Sequence, residues 1–179
     1  MPTTSNIVSL EARLKRQIRD IPDFPQPGIM FRDITPLLSN ASLFHESVDA
    51  MIEPFSDIDH VIIIESRGFI FGTPIAYAIG AGIVPVRKPG KLPAATFSEE
   101  YALEYGSNIL EIHQDALKPG ERVLIVDDLL ATGGTVRATI NLVNRIGAEI
   151  AGISVLAELA ALNGRAVLGD YQFNCLVTY

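Results

Sequence analysis

Residues Val123 to Thr135 read VLIVDDLLATGGT, and this stretch decides the fold of the 179-residue chain. Four apolar residues, two carboxylates and a small turn with paired glycines predict a buried strand, a ligand-binding loop and a helix. Backbone N–H groups at a helix N-terminus, with the threonine hydroxyls beside them, favour a phosphate. Asp127 and Asp128 would repel a phosphate so close, and we expect them to face sugar hydroxyls or a hydrated metal ion. The stretch therefore indicates a ligand that combines phosphate and ribose.

A glycine-rich connection alone is common in α/β proteins and is often only structural. Two other nucleotide motifs are excluded, because the sequence has no G-x-x-x-x-G-K-[ST] run and no G-x-G-x-x-G run after a strand. The order of apolar run, Asp-Asp and Ala-Thr-Gly-Gly-Thr resembles the phosphoribosyl pyrophosphate (PRPP) motif of the type I phosphoribosyltransferases.

Bulk properties narrow the class of protein. The length favours one domain with a continuous core, and no apolar run approaches the roughly 18 residues that span a bilayer. No secretory signal is visible and Cys175 is the single cysteine, so we expect a reducing cytoplasm and no membrane partner. The net charge of -7 argues against nucleic-acid binding, which needs a basic surface. A polyanionic substrate must therefore meet a local basic cluster.

Strand and helix patterns alternate along the chain. They predict an α/β fold with a doubly wound, mainly parallel central sheet, whose ligands bind at the carboxyl ends of the strands. The predicted strands are 61–64, 83–86, 122–126, 150–157 and 173–178, and the predicted helices are 7–18, 42–55, 68–79, 135–146 and 159–168.

Two further segments stand apart from this pattern. Residues 21–36 contain four prolines, which exclude a regular helix and indicate an ordered arm. Residues 95–113 carry apolar side chains at odd positions, broken at Gly106-Ser107-Asn108, and predict a β-hairpin outside the main sheet.

Cations follow two other predicted strands. Glu65-Ser66-Arg67-Gly68 could be a helix cap with a solvated arginine, and Arg87, Lys88 and Lys91 could be a solvated charge run. Beside a PRPP loop, the amides and the guanidinium groups instead suit a pyrophosphate, because arginine presents a fork that matches phosphate oxygens.

Five stretches together resemble the adenine phosphoribosyltransferase family, in order and over nearly the whole chain. The resemblance implies a single domain over 1–179, with an N-terminal helix and arm at 1–36 and a mobile hairpin hood at about 92–113. The five stretches are 23–36, 65–69, 86–93, 103–106 and the central motif at 123–135.

The resemblance also assigns roles to individual residues. It implies ribose binding by Asp127 and Asp128, 5′-phosphate binding by Ala131, Thr132, Gly133, Gly134 and Thr135, pyrophosphate binding by Ser66, Arg67, Arg87, Lys88, Lys91 and Tyr105, and adenine binding by Met30, Phe31, Arg32 and Leu159. Glu104 is the expected acid–base residue, and Asp127 is its rival. A cis peptide bond is further implied between Glu65 and Ser66.

The expected reaction transfers a phosphoribosyl group from PRPP to adenine and gives AMP and pyrophosphate. Mg²⁺ should arrive bound to PRPP, with no direct protein ligand, since the histidines are scattered, and Asp127 or Asp128 should reach it at most through water. The partners are then two small molecules and a second copy of the chain in a homodimer. Transfer to another purine or to a pyrimidine remains an alternative, as does a PRPP-sensing regulator.

Overall fold

The computed structural model describes residues 8–102 and 107–179, so Glu104 and Tyr105 lie outside the described residues. The chain divides into two compact units, Met1–Ser47 and Val48–Tyr179. No helix in the described ranges is long and apolar enough to cross a lipid bilayer.

The first unit begins with helix α1, Leu10–Gln17. Ser9 starts this helix, because its Oγ accepts a hydrogen bond of 3.2 Å from the Ala12 N–H. Leu14 is buried on the apolar face. The periodicity of the sequence predicted a helix over 7–18. Within the described residues, the helix begins at Leu10 and ends at Gln17.

The proline-rich arm is more regular than predicted. Strands β1, Arg19–Ile21, and β2, Phe31–Asp33, pair antiparallel with opposite charges facing one another. Arg19 Nη2 lies 2.6 Å from Asp33 Oδ2. Helix α2, Thr35–Ser39, then begins inside the stretch for which helix was excluded. Pro36 is compatible with this helix because it lies in the first turn, where a backbone N–H has no intrahelical partner in any case.

The second unit is built on a five-stranded parallel sheet in the order β4-β3-β7-β8-β9. This is the predicted doubly wound fold. Its strands are β3 His60–Ile64, β4 Gly82–Val86, β7 Arg122–Leu130, β8 Glu149–Glu158 and β9 Phe173–Thr178; its helices are α4 Gly68–Ile79, α5 Gly134–Ile146 and the end of α3, Ala41–Ile52.

Both faces of the sheet are covered, which explains why its strands read as continuous apolar runs. Ile62 and Ile64 share a buried cluster with Ile140 of α5. On the other face, Gly72 of α4 lies so close to Ile63 that a Cβ at that position would come within 2.2 Å of Ile63 Cγ2. The sheet is therefore held between helices, with its strand ends open to a ligand.

The hairpin forms outside the main sheet, as predicted. Strands β5, Thr96–Ala102, and β6, Ser107–His113, pair antiparallel. Ser107 belongs to β6 and not to the turn that the sequence suggested. Asn141 Nδ2 of α5 donates a 2.7 Å hydrogen bond to Glu99 Oε1, so the hairpin is fixed to the helix that follows the central motif.

Candidate active site

Strand β7 carries the two aspartates of the central motif inside the sheet. The sequence predicted that the strand ends at Val126, but it runs to Leu130, with Asp127 opposite Val155 and Leu130 opposite Glu158. The prediction was wrong because two adjacent carboxylates look like a strand end, whereas pairing with β8 continues past them. The carboxylates are thus held on rigid backbone.

Asp127 and Asp128 form an electrostatically strained pair. The Asp128 N–H donates to Asp127 Oδ1 at 2.8 Å, and Arg67 Nε lies 2.9 Å from Asp128 Oδ2. Burial, and then the charge of Asp128, raise the pKa of Asp127 well above its ordinary value. Burial also raises the pKa of Asp128, although Arg67 opposes that shift. A ligand that donates hydrogen bonds would relieve this repulsion.

The loop after β7 presents the start of α5 to a ligand. Gly133 has φ +82° and precedes the helix, which begins at Gly134 without a side-chain cap. The first-turn amides of an α-helix have no intrahelical partner, and here they follow a loop of small residues. The loop therefore has the geometry of an anion site made by Ala131, Thr132, Gly133, Gly134 and Thr135.

A second loop, which contains Gly164, packs against the backbone of the phosphate loop. A Cβ on Gly164 would come within 2.3 Å of the Ala131 carbonyl oxygen and 3.1 Å of the Gly133 nitrogen. The sequence did not single out Gly164, because the contact joins positions about thirty residues apart and leaves no local pattern.

The turn after β3 approaches the aspartates directly. The Glu65-Ser66 peptide bond is cis, as the resemblance implied. A Cβ on Gly68 would lie 2.9 Å from the Val126 carbonyl oxygen and 3.1 Å from Asp127 Oδ1, so glycine allows α4 to begin beside β7. This approach brings Arg67 to Asp128.

The basic loop after β4 is partly neutralised by a carboxylate that sequence reasoning left without a role. Arg87 Nε lies 3.1 Å from Glu65 Oε2, which also accepts the Lys88 N–H at 3.1 Å. Burial raises the pKa of Glu65, but the hydrogen bonds from Arg87 and Lys88 outweigh it, and the pKa is lowered overall. Lys88 and Lys91 are exposed. The carboxylate thus orients the guanidinium, and the lysines supply the further positive charge.

Leu159, predicted to face the base, lines a cavity of about 210 Å³ beside the phosphate loop. The segment that carries it was predicted to be a helix over 159–168. That prediction was wrong: two short 3-10 turns, Ala160–Leu162 and Gly164–Val167, are separated by Asn163 at φ +52°. The other lining residues are Leu130, Glu158, Ala160, Asn163, Gly164 and Arg165.

The remaining predicted base-binding residues belong to the first unit. Met30 is exposed, and the Phe31 ring meets the Phe24 ring edge-on at 5.1 Å between centroids. Arg32 forms an ion pair with Asp20 across the β1–β2 pair. The Arg32 side chain is thus held within its own strand pair.

The described residues contain no group of three or more His, Cys, Asp or Glu side chains placed to hold a metal ion. Asp127 and Asp128 are the carboxylates nearest the phosphate loop in sequence, and one oxygen of each is already bonded within the protein. This donor set fits a Mg²⁺ that is coordinated mainly by a phosphate ligand and water.

A parallel sheet with a carboxylate pair and a phosphate loop at its carboxyl edge defines a phosphoribosyltransferase site. Residues 41–175 match the phosphoribosyl transferase domain family, so the chain belongs to the phosphoribosyltransferases. It is 56% identical over 168 residues to the adenine phosphoribosyltransferase of Carboxydothermus hydrogenoformans, which covers 93% of this chain and 99% of that one. Within the family, it belongs to the adenine phosphoribosyltransferases.

Solved structures agree with this assignment. The adenine phosphoribosyltransferase of Rhodothermus marinus superposes with a TM-score of 0.91 at 48% identity, over 95% of this chain and 98% of that one. The enzyme of Saccharomyces cerevisiae, complexed with an imino-altritol bisphosphate and adenine, has a TM-score of 0.88 at 39% identity, over 93% and 98% of the two chains.

Proposed function

We propose that this protein transfers the 5-phosphoribosyl group of PRPP to adenine, forming AMP and releasing pyrophosphate. The observation that carries the proposal is the Asp127–Asp128 pair, with Asp128 buried and Asp127 partly buried, a few residues before a glycine-rich helix start. The pair matches a ribose diol and the helix start matches a 5′-phosphate, so that one ligand fits both. The adenine in the yeast relative's complex supports the choice of base.

Asp127 and Asp128 would bind the ribose hydroxyls. Burial disfavours the charged form of both carboxylates, and the charge of Asp128 also disfavours that of Asp127. Hydrogen bonds from a sugar diol would stabilise the charged forms without adding negative charge. Transfer builds positive charge on the sugar, as in glycoside hydrolysis, and the two carboxylates stabilise that charge once the ligand is in place.

Negative charge develops on pyrophosphate as it leaves, and positively charged groups must stabilise it. Arg67 approaches from the start of α4, and Lys88 and Lys91 approach from the loop after β4. Glu65 holds Arg87 by its Nε and Nη2, so the guanidinium is oriented before the substrate arrives. Ser66 and Tyr105 complete the proposed pyrophosphate site. Mg²⁺, when bound with PRPP, would neutralise further charge on the leaving group.

Glu104 is the proposed acid–base residue, because adenine must lose a ring proton as N9 attacks. Glu104→Gln should leave PRPP affinity intact and lower turnover by roughly 10²- to 10⁴-fold. Asp127 is the rival, and burial raises its pKa, which lets a carboxyl hold a proton closer to neutrality. Single-turnover kinetics measures the chemical step, and a rate within about threefold of wild type would move the role away from Glu104.

Base specificity is tested by incubating the protein with PRPP, Mg²⁺ and each free base in turn. We expect AMP from adenine and little nucleotide from hypoxanthine, guanine, uracil or orotate. If another base gave its nucleotide with a higher kcat/KM than adenine, that base would be the preferred substrate instead of adenine. If no base reacts, and PRPP changes binding to DNA in a band-shift assay, the protein is a PRPP-sensing regulator.

We further propose a homodimer that uses the exposed face of α4. This helix contains no charged residue, and its outer side presents Tyr77, which is 90% exposed, with Ile70 and Ile79 and the neighbouring Ile83. Such a patch suits a second copy of the chain. Light scattering should show a dimer that Tyr77→Asp converts to monomer, and a wild-type monomer at micromolar concentration would refute the proposal.

The compartment is a proposal as well. Cys175 is the single cysteine of the sequence, which fits the reducing cytoplasm. Cell fractionation that places the protein outside the cytoplasm would contradict it.

A further inference from the structure

The loop that carries Leu159 is closed by a two-point ion pair between its ends. Glu158 is the last residue of β8 and is 5% exposed. Its carboxylate receives Arg165 Nε at 2.5 Å on one oxygen and Arg165 Nη2 at 2.6 Å on the other. Thr178 Oγ1 donates to the same carboxylate at 2.9 Å. The chain between Glu158 and Arg165 therefore forms a closed loop.

Arg165 is itself held from a second side. Its guanidinium carbon lies 4.5 Å from the centroid of the Phe173 ring in β9. The hydrogen bonds from Arg165 lower the pKa of Glu158 against the effect of burial, so the carboxylate stays charged and the pair stays formed at neutral pH. A planar guanidinium suits this position, since it can stack and form two parallel hydrogen bonds together.

The closed loop touches both parts of the site. Leu159 and Asn163 line the cavity of about 210 Å³. Gly164, directly before Arg165, presses on the backbone of Ala131 and Gly133 in the phosphate loop, where no Cβ would fit. The Leu159 N–H donates to the Leu130 carbonyl oxygen at 2.9 Å, one residue before that loop. A movement at the cavity therefore reaches the phosphate loop through main-chain contacts.

We propose that Arg165 is a positioning residue that couples occupancy of the base cavity to occupancy of the phosphate loop. The inference rests on the proposed function and on the predicted role of Leu159, which together place a purine base in the cavity and a 5′-phosphate in the loop. Arg165 is one of the residues that line the cavity, so its own contact with a base changes the adenine affinity itself, whereas the proposed role changes the ratio of the affinities measured with and without a filled phosphate loop. The ion pair of Arg165 with Glu158 fixes the length of the closed loop. A base in the cavity would then hold Gly164 against the phosphate loop and keep that loop in its binding conformation. A phosphate in the phosphate loop would, in turn, hold the cavity in the conformation that accepts the base.

The test uses adenine and ribose 5-phosphate, which occupy the two places without reacting. Calorimetry gives the dissociation constant of adenine with and without saturating ribose 5-phosphate, and the ratio is the coupling factor. We expect a factor of about five or more in the wild type and a factor near one in Arg165→Gln. Arg165→Lys keeps the charge but loses the fork, and should give an intermediate factor.

Arg122→Gln is the matched control. Arg122 forms an ion pair with Glu149 between β7 and β8, at the opposite end of the same two strands. A general loss of sheet stability would lower the coupling factor in both variants, whereas the proposal requires the Arg122 variant to keep the wild-type factor. The kinetic counterpart is a rise in both KM values in Arg165→Gln with a smaller change in kcat.

The outcomes separate the inference from the proposed function. If the wild type binds neither ligand, the proposed function fails. If it binds both with a factor of one, or if Arg165→Gln keeps the wild-type factor, the coupling role is refuted. If Arg165→Gln does not fold, Thr178→Val removes one hydrogen bond from the same carboxylate and should lower the factor partially; an unchanged factor in that variant refutes the role.

Discussion

Gly133→Ala probes the phosphate loop at a glycine where a left-handed conformation and a close approach coincide. Gly133 has φ +82°, and a Cβ there would lie 2.5 Å from Val167 Cγ2 and 2.6 Å from the Gly164 carbonyl oxygen. The valine methyl can rotate away, but the carbonyl is backbone of the closed loop. We therefore expect alanine at this position to displace one loop from the other.

Gly120 separates the two contributions to the cost. It has φ +84° and no heavy atom within 4 Å of a built Cβ, so Gly120→Ala carries the conformational penalty alone. That penalty is about 1–2 kcal/mol for a non-glycine residue in the left-handed region. Steric overlap in a packed site adds about 1–3 kcal/mol. Gly133→Ala should therefore lower the free energy of unfolding by about 2–5 kcal/mol.

Urea unfolding of the two variants side by side measures this difference. Calorimetric titration with ribose 5-phosphate measures its functional effect: losing one or two charge-assisted hydrogen bonds from displaced amides should weaken affinity by roughly tenfold or more in Gly133→Ala. Gly120→Ala should bind as the wild type does. Equal unfolding free energies for the two variants would refute the steric argument, and unchanged affinity in Gly133→Ala would remove the loop from phosphate binding.

Three further outcomes are expected. Asp127→Asn should stabilise the unliganded protein, because the raised pKa of Asp127 makes the wild type lose stability as pH rises from the ordinary aspartate pKa through the pKa in the folded state. The stability gained by the variant should grow over that pH range by about 1.4 kcal/mol per unit between the two pKa values and then level off. A pH-independent difference between the two proteins in urea unfolding would contradict this prediction. Phe31→Ala should weaken adenine binding by about 1–3 kcal/mol through lost stacking, and an unchanged Michaelis constant for adenine would show that Phe31 does not contact the base. Gly72→Ala should lower stability by about 1–3 kcal/mol through overlap with Ile63 while both KM values stay at wild-type levels; a selective change in either KM would link this packing contact to the site.

Local periodicity was sufficient to predict the parallel sheet. The run at 61–64 is apolar at every position, and the run at 150–157 at every position except Ser154, because helices cover both faces. Such runs identify a strand without knowledge of its partners. The end of β7 was not predictable in this way. Leu129 pairs with Ala157 in the neighbouring strand, and that pairing, absent from any short window of sequence, keeps Asp127 and Asp128 within the strand.

Ion pairs between residues that are distant in the sequence could not be predicted from the sequence either. Glu65 and Arg87 follow two different strands, and the parallel pairing of β3 with β4 brings their side chains together. The sequence could identify Arg87 as a cation at a strand end, but not the carboxylate that orients it. The same holds for Arg165 and Glu158, because residues 159–168 were predicted to form one helix, whereas Asn163 at φ +52° separates two 3-10 turns and the chain returns to Glu158.

The position of the aspartate pair links the stability of the fold to its proposed function. Two carboxylates on consecutive residues of a central strand raise the free energy of the unliganded protein, since burial opposes the ionisation of both and the charge of Asp128 further opposes that of Asp127. Arg67 reaches Asp128, and it can do so because Gly68 lets α4 begin against β7. The Asp128 N–H and the more distant charge of Arg67 oppose the raised pKa of Asp127 only in part. A ribose diol that donates to Asp127 would therefore bind to a site already destabilised in its absence, and we expect part of the affinity for PRPP to come from removing that unfavourable charge.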